Sequence, residues 1–123
     1  MDERVLHLED GTTIEAKVNF GTLYYMDQIR LFPLMKKVDA LRKAGKEPSD
    51  HDSIQLAAKM IYVLLRSNGR NCDQDEALVL VPLDIGPGSE FEAVFQDFSD
   101  KIERMEKKRA AQDAQRQFLK SSV

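Results

Sequence analysis

Tryptophan is absent from this chain, cysteine occurs once and histidine only twice, and each scarcity excludes something. One cysteine, Cys72, cannot close an internal disulfide, and one Cys with two distant His residues makes a poor zinc set. The expected compartment is therefore a reducing cytoplasm, with no metal and no other cofactor. Long apolar runs are also missing: the longest, Met60 to Leu65, is far short of the roughly 20 residues needed to cross a bilayer. Nothing in Met1-Asp-Glu-Arg4 resembles a secretory or transit leader, so the chain is expected to start at or near Met1. Charge of one sign is not in excess either, because 18 Lys and Arg face 21 Asp and Glu for a formal net charge of -3. Interspersed signs give no overall attraction for phosphate backbones, which counts against general nucleic-acid binding.

What is present is a chain of 123 residues, 42% apolar and 32% charged, which suits one domain with one modest core. Residues 4–19 read as a β-hairpin, because Asp10-Gly11 is turn chemistry between two alternating runs. A three-residue loop, Glu9-Asp10-Gly11 with Gly11 left-handed, pairs Leu8 with Thr12 and Leu6 with Ile14. That register puts Leu6, Leu8, Ile14, Ala16 and Val18 on one face. An isolated hairpin is only marginally stable, so this face should lie against helices.

Helices are expected over about 22–31, 33–44, 52–68, 73–81 and 89–105. Thr22 is read as the N-cap of the first. Pro33 disfavours helical geometry at Phe32 and suits the opening position of the second. Lys46 to Asp50 is the best internal linker. The third helix, with Leu56, Met60, Ile61, Val63 and Leu64 among its apolar residues, leaves little polar surface and reads as central. Asp73 and Glu76 form a capping-box variant before Ala77 to Val81, a run read as helix although it also suits a strand. Ser89-Glu-Phe-Glu92 opens the last helix as a capping box, with Phe91, Val94, Phe95, Phe98, Ile102 and Met105 on one stripe. The expected fold is thus mainly α, a single helical domain over 1–105 with an N-terminal β-hairpin and a long C-terminal helix. Residues 106–123 form a polar extension, helical or disordered.

No catalytic motif emerges. His7 sits in the hairpin and His51 at a helix start. The Asp50-His51-Asp52 cluster is explained by carboxylate preference at a helix N-terminus before any metal is invoked. Gly86 and Gly88 lack the strand-glycine-helix context of a phosphate loop. Lys107-Lys108-Arg109 is basic, but Glu103, Glu106 and Asp113 interleave with it and no aromatic is near enough to stack on bases. Phe91, Phe95 and Phe98 are read first as core. The apolar and charged groups that outlast that core suggest a partner-binding face, for which the candidates are Phe98, Ile102, Met105, Lys108, Arg109, Phe118 and Leu119. Part of the stripe could also be buried between copies of the chain.

The order of these pieces resembles the tail assembly chaperones of long-tailed bacteriophages, small proteins encoded just before the tape measure protein. The resemblance runs from about Arg4 to Met105. It rests on the Asp10-Gly11 hairpin leading into Asn19-Phe-Gly-Thr-Leu-Tyr-Tyr-Met26, then Ala57 to Leu65, then Asp75 to Val79, then the Phe91 to Met105 helix. Pro33 and the stretch from Lys36 to Pro48 match no feature of the family. The resemblance implies a non-enzymatic chaperone that coats the tape measure protein in the host cytoplasm and helps recruit tail tube subunits. It also implies absence from the finished virion and, as in many such families, a longer frameshift product, for which Lys107-Lys108 could mark the slippery stretch. The alternative is a small helical regulator of a phage or bacterium that binds nucleic acid.

Overall fold

The computed structural model describes residues 4–121, with side chains through Ala114. The chain is mostly helical, with a two-stranded N-terminal antiparallel hairpin and a long C-terminal helix, as expected from its patterning. Strand β1 (Val5–His7) pairs with β2 (Thr13–Glu15), Leu6 standing opposite Ile14. The Leu8 N–H donates to the Thr12 carbonyl at 2.8 Å and Gly11 has φ +86°, which is the three-residue loop argued from the sequence. Leu6, Leu8, Ile14 and Ala16 are buried on one face and Val18 packs at its margin. The Asp10 carboxylate accepts from the Thr12 hydroxyl and N–H and lies 3.4 Å from the Arg70 guanidinium. These contacts, the Thr12 hydroxyl first, hold its pKa below the usual carboxylate range.

Helix α1 (Phe20–Gln28) starts earlier than the sequence suggested, and its N-cap is Asn19 rather than Thr22. Both residue types cap helices, and the core decides between them. The Asn19 side chain accepts the Thr22 N–H at 3.1 Å while its amide donates to the Ser67 carbonyl at 3.0 Å. Thr22 is fully buried, its hydroxyl taking the Asn19 N–H at 3.0 Å and donating to Ser67 Oγ at 2.9 Å. Helix α2 (Leu31–Lys43) likewise begins two residues before Pro33, and Phe32 is helical. The first N–H groups of a helix have no intrahelical partner, so Pro33 in the opening turn removes no hydrogen bond. The corner is made instead by Arg30, in the left-handed conformation at φ 58°.

Helix α3 (Asp50–Ser67) is the centre of the molecule, buried from Leu56 to Leu65 and packed against α1, α2, β2 and α4. Ser49 Oγ caps it by accepting the Asp52 N–H, and Lys59 Nζ donates to the Ile29 carbonyl at 2.8 Å to close the end of α1. Helix α4 (Gln74–Val79) carries both bonds of the Asp73/Glu76 capping box, so Ala77 to Val79 are helical rather than extended, although the helix ends at Leu80 as its C-cap and Val81 lies beyond it. Helix α5 (Glu90–Ser121) continues well past Met105, where the apolar stripe ends. Its N-terminus departs from a strict capping box. Ser89 Oγ accepts the Glu92 N–H, but the Glu92 carboxylate takes the N–H of Gly88 rather than that of Ser89.

Candidate partner-binding groove

The first half of α5 is fixed along the hairpin. The Glu90 carboxylate accepts the His7 N–H and lies 2.9 Å from His7 Nδ1, Arg4 donates to the Ala93 carbonyl, and Lys101 Nζ donates to the Ala16 carbonyl at 3.0 Å. Phe91, Val94, Phe95, Phe98 and Ile102 point from this half into the common core. Beyond Ile102 the helix leaves the hairpin and passes α1 and the start of α2. There it bounds an open groove of about 870 Å³. One wall is Phe20, Leu23, Tyr24, Asp27, Phe32 and Lys36, and the other is Glu106, Arg109, Ala110 and Asp113 of α5.

Phe20 and Tyr24 stand one helical turn apart on the outer side of α1 and are 71% and 64% exposed. Tyr24 is the free end of an anchored aromatic row. Its ring meets Tyr25 edge-on at 5.3 Å, Tyr25 meets Tyr62 at 6.1 Å, and the Arg66 guanidinium lies 5.1 Å from the Tyr25 ring centre. Arg66 also donates to the Tyr25 hydroxyl and to the Asn71 side chain, so the row is held from behind. Among the described residues, Asp27, Lys36, Glu106, Arg109 and Asp113 form no ion pair within the chain. The groove thus sets an aromatic wall against charges of both signs, and it is open rather than an enclosed pocket with convergent polar groups of the kind that holds a small molecule.

The residues expected to bind a partner separate under this geometry. Phe98 and Ile102 are 0% and 3% exposed, so the core consumes them and they are not open to a partner; the expected partner face included two residues of the stripe that the core covers. Met105 is half-buried at the core margin. Lys108 and Arg109 are exposed, and Arg109 alone of the pair lines the groove. Phe118 and Leu119 lie outside the described side chains. The three phenylalanines Phe91, Phe95 and Phe98 are core, as expected. Phe20 and Tyr24 were missed, although their i, i+4 spacing opposite Leu23 and Met26 gives α1 apolar residues on two sides, one more than a single core can cover.

No family model, curated protein or solved structure matches the chain. Three of its chemistry-bearing side chains, Asp52, Cys72 and Lys107, are paired or buried. Asp52 bonds Lys37 at 2.8 Å, and that bond first of all holds its pKa down. Cys72 is buried, and desolvation pushes its thiol up, away from the reactive thiolate. Lys107 pairs with Glu103 one turn back at 3.3 Å. Among the described residues no group of three His, Cys, Asp or Glu side chains is placed to hold a metal, and no helix is long and apolar enough to cross a membrane.

Proposed function

We propose that the chain is a non-enzymatic tail assembly chaperone of a long-tailed phage or prophage, holding a helical segment of the tape measure protein in the groove between α1 and the outer part of α5. The observation that carries this reading is the exposed pair Phe20 and Tyr24 facing Glu106, Arg109 and Asp113, which form no ion pair among the described residues. A long helical protein has amphipathic stretches with no partner of their own. Apolar residues at i, i+3 or i+4 and i+7 of such a stretch would cover the two rings, and its flanking charges would meet α5. Shielding of this kind keeps the client soluble until tail tube subunits arrive. The resemblance in element order supports this choice of client, and the exposed rings and charges of the groove support this way of holding it.

The test is co-expression in bacteria with the tape measure protein encoded beside it. The expected result is a soluble complex that co-purifies, with the client insoluble when expressed alone. A client equally insoluble in both cases, with no co-purification, overturns the reading. Salt-sensitive binding of a labelled duplex by the purified chain would favour the regulator instead.

A further inference from the structure

The groove does not stop at the start of α2. Phe32, Lys36 and Glu106 line its inner end and also open a second cleft, of about 470 Å³, that continues between α2 and the first half of α5 as far as Gln96. From Gln96 to Asp113 the two together follow α5 for seventeen residues, about 25 Å at 1.5 Å per residue. Phe32 and Met35 lie half-buried along the floor of the cleft. Its two walls carry opposite charge. On α2, Asp39 is cancelled by Lys43 at 3.0 Å, which leaves Lys36 and Arg42. On α5, Glu103 is cancelled by Lys107 at 3.3 Å, which leaves Asp100 and Glu106. These four side chains are exposed, and among the described residues no ion pair joins one wall to the other.

On the reading that the groove holds a helical client, we infer that this cleft selects a client helix with acidic side chains along one flank of its apolar stripe and basic side chains along the other. Apolar residues at i, i+3 or i+4 and i+7 lie over Phe32 and Met35, as they do over Phe20 and Tyr24. The flank above α2 then meets Lys36 and Arg42, and the flank above α5 meets Asp100 and Glu106. Turning the helix end for end would exchange its flanks, so the cleft accepts it in one direction. A partner of one sign fits poorly: a phosphate backbone drawn to Lys36 and Arg42 would lie against the carboxylates of α5. Charges at the edge of an interface decide the choice of partner more than raw affinity, and that is their part here.

Calorimetric titration of the full chain with three stapled helical peptides of about 18 residues, five turns, tests this. All share one leucine stripe. The first has glutamates on one flank and lysines on the other, the second glutamates on both, and the third lysines on both. The mixed peptide is expected to bind at least about fivefold more tightly than either of the others, with the margin narrowing as salt is raised. The variant Lys36→Glu/Arg42→Glu should change the order and take the all-lysine peptide best. Both side chains are exposed, so its urea midpoint stays at that of the parent. Equal affinity for the three peptides, binding of none, or an unchanged order in the variant overturns the inference. So does a dimer of the chain, seen in sedimentation velocity, that the same variant abolishes, since a second copy then fills the cleft. A tape measure protein that co-purifies while the three peptides bind alike leaves the chaperone reading standing and removes only the division of charge.

Discussion

The carboxylate of Glu90 accepts from the backbone N–H of His7, which β2 does not use, and lies 2.9 Å from the ring nitrogen of the same residue. One side chain therefore joins the hairpin to the first turn of the longest helix, and its pKa is held below the ordinary range by the His7 N–H first and the ring second. A carboxylate whose folded pKa is depressed adds stability that is present above its unfolded value and lost as pH falls through the folded one. Asp10 and Asp52 carry the same sign of shift. The urea midpoint is expected to hold from about pH 7 to pH 5 and to fall below about pH 4, where unperturbed carboxylates titrate. In Glu90→Gln the midpoint at neutral pH is lower and the acid decline shallower.

Phe20→Ser and Tyr24→Ser separate binding from folding. Both rings are mostly in solvent, so each substitution is expected to shift stability by no more than about 0.5 kcal/mol. Affinity for the client segment should drop about tenfold or more, as for aromatic anchors elsewhere. Calorimetric titration with a helical client peptide, run beside urea melts, reads both quantities.

Phe98→Ala and Arg109→Ala make the reverse pair. Phe98 is wholly buried, and truncating such a ring costs about 3–5 kcal/mol, a large part of the roughly 5–15 kcal/mol that holds a domain together. Thermal unfolding should show a steep loss for Phe98→Ala. For Arg109→Ala the melt is unchanged, and client binding weakens.

The corner between the hairpin and α1 is sensitive to a single carbon. A Cβ on Gly21 would lie 2.9 Å from Asn19 Oδ1, the atom that caps the helix, so Gly21→Ala must displace the cap. Asn19→Ala removes it outright at about 1 kcal/mol. The two substitutions should destabilise to a similar extent, and their double variant should cost less than the sum, read from denaturant midpoints.

What could be read from the sequence followed the strength of local signals. The hairpin register was fixed by period-two alternation around Asp10-Gly11, and the start of α4 by Asp73 and Glu76 at capping-box spacing. The start of α1 was misplaced because Asn19 and Thr22 both cap helices, and the choice depends on Ser67, forty-eight residues from Asn19. The opening of α2 was misplaced because Pro33 signals the first turn without saying which position in it. The groove was half visible: Arg109 was picked out, but the exposure of Phe20 and Tyr24 depends on which side of α1 meets α3, and periodicity does not report that. Ile102 was assigned to a partner because nothing local shows how far the core extends along α5.

The length of α5 gives the molecule a mechanical character. From Met105 to Ser121 the helix continues for sixteen residues, about 24 Å at 1.5 Å per residue. Its inner half is pinned by Lys101, Phe98 and Ile102. A load applied near the tip therefore acts on a fulcrum made of core side chains, and a tilt of about 10° there would sweep the tip through about 4 Å. Whatever grips the outer part of this helix pulls, with leverage, on the same phenylalanine and isoleucine that keep the domain folded.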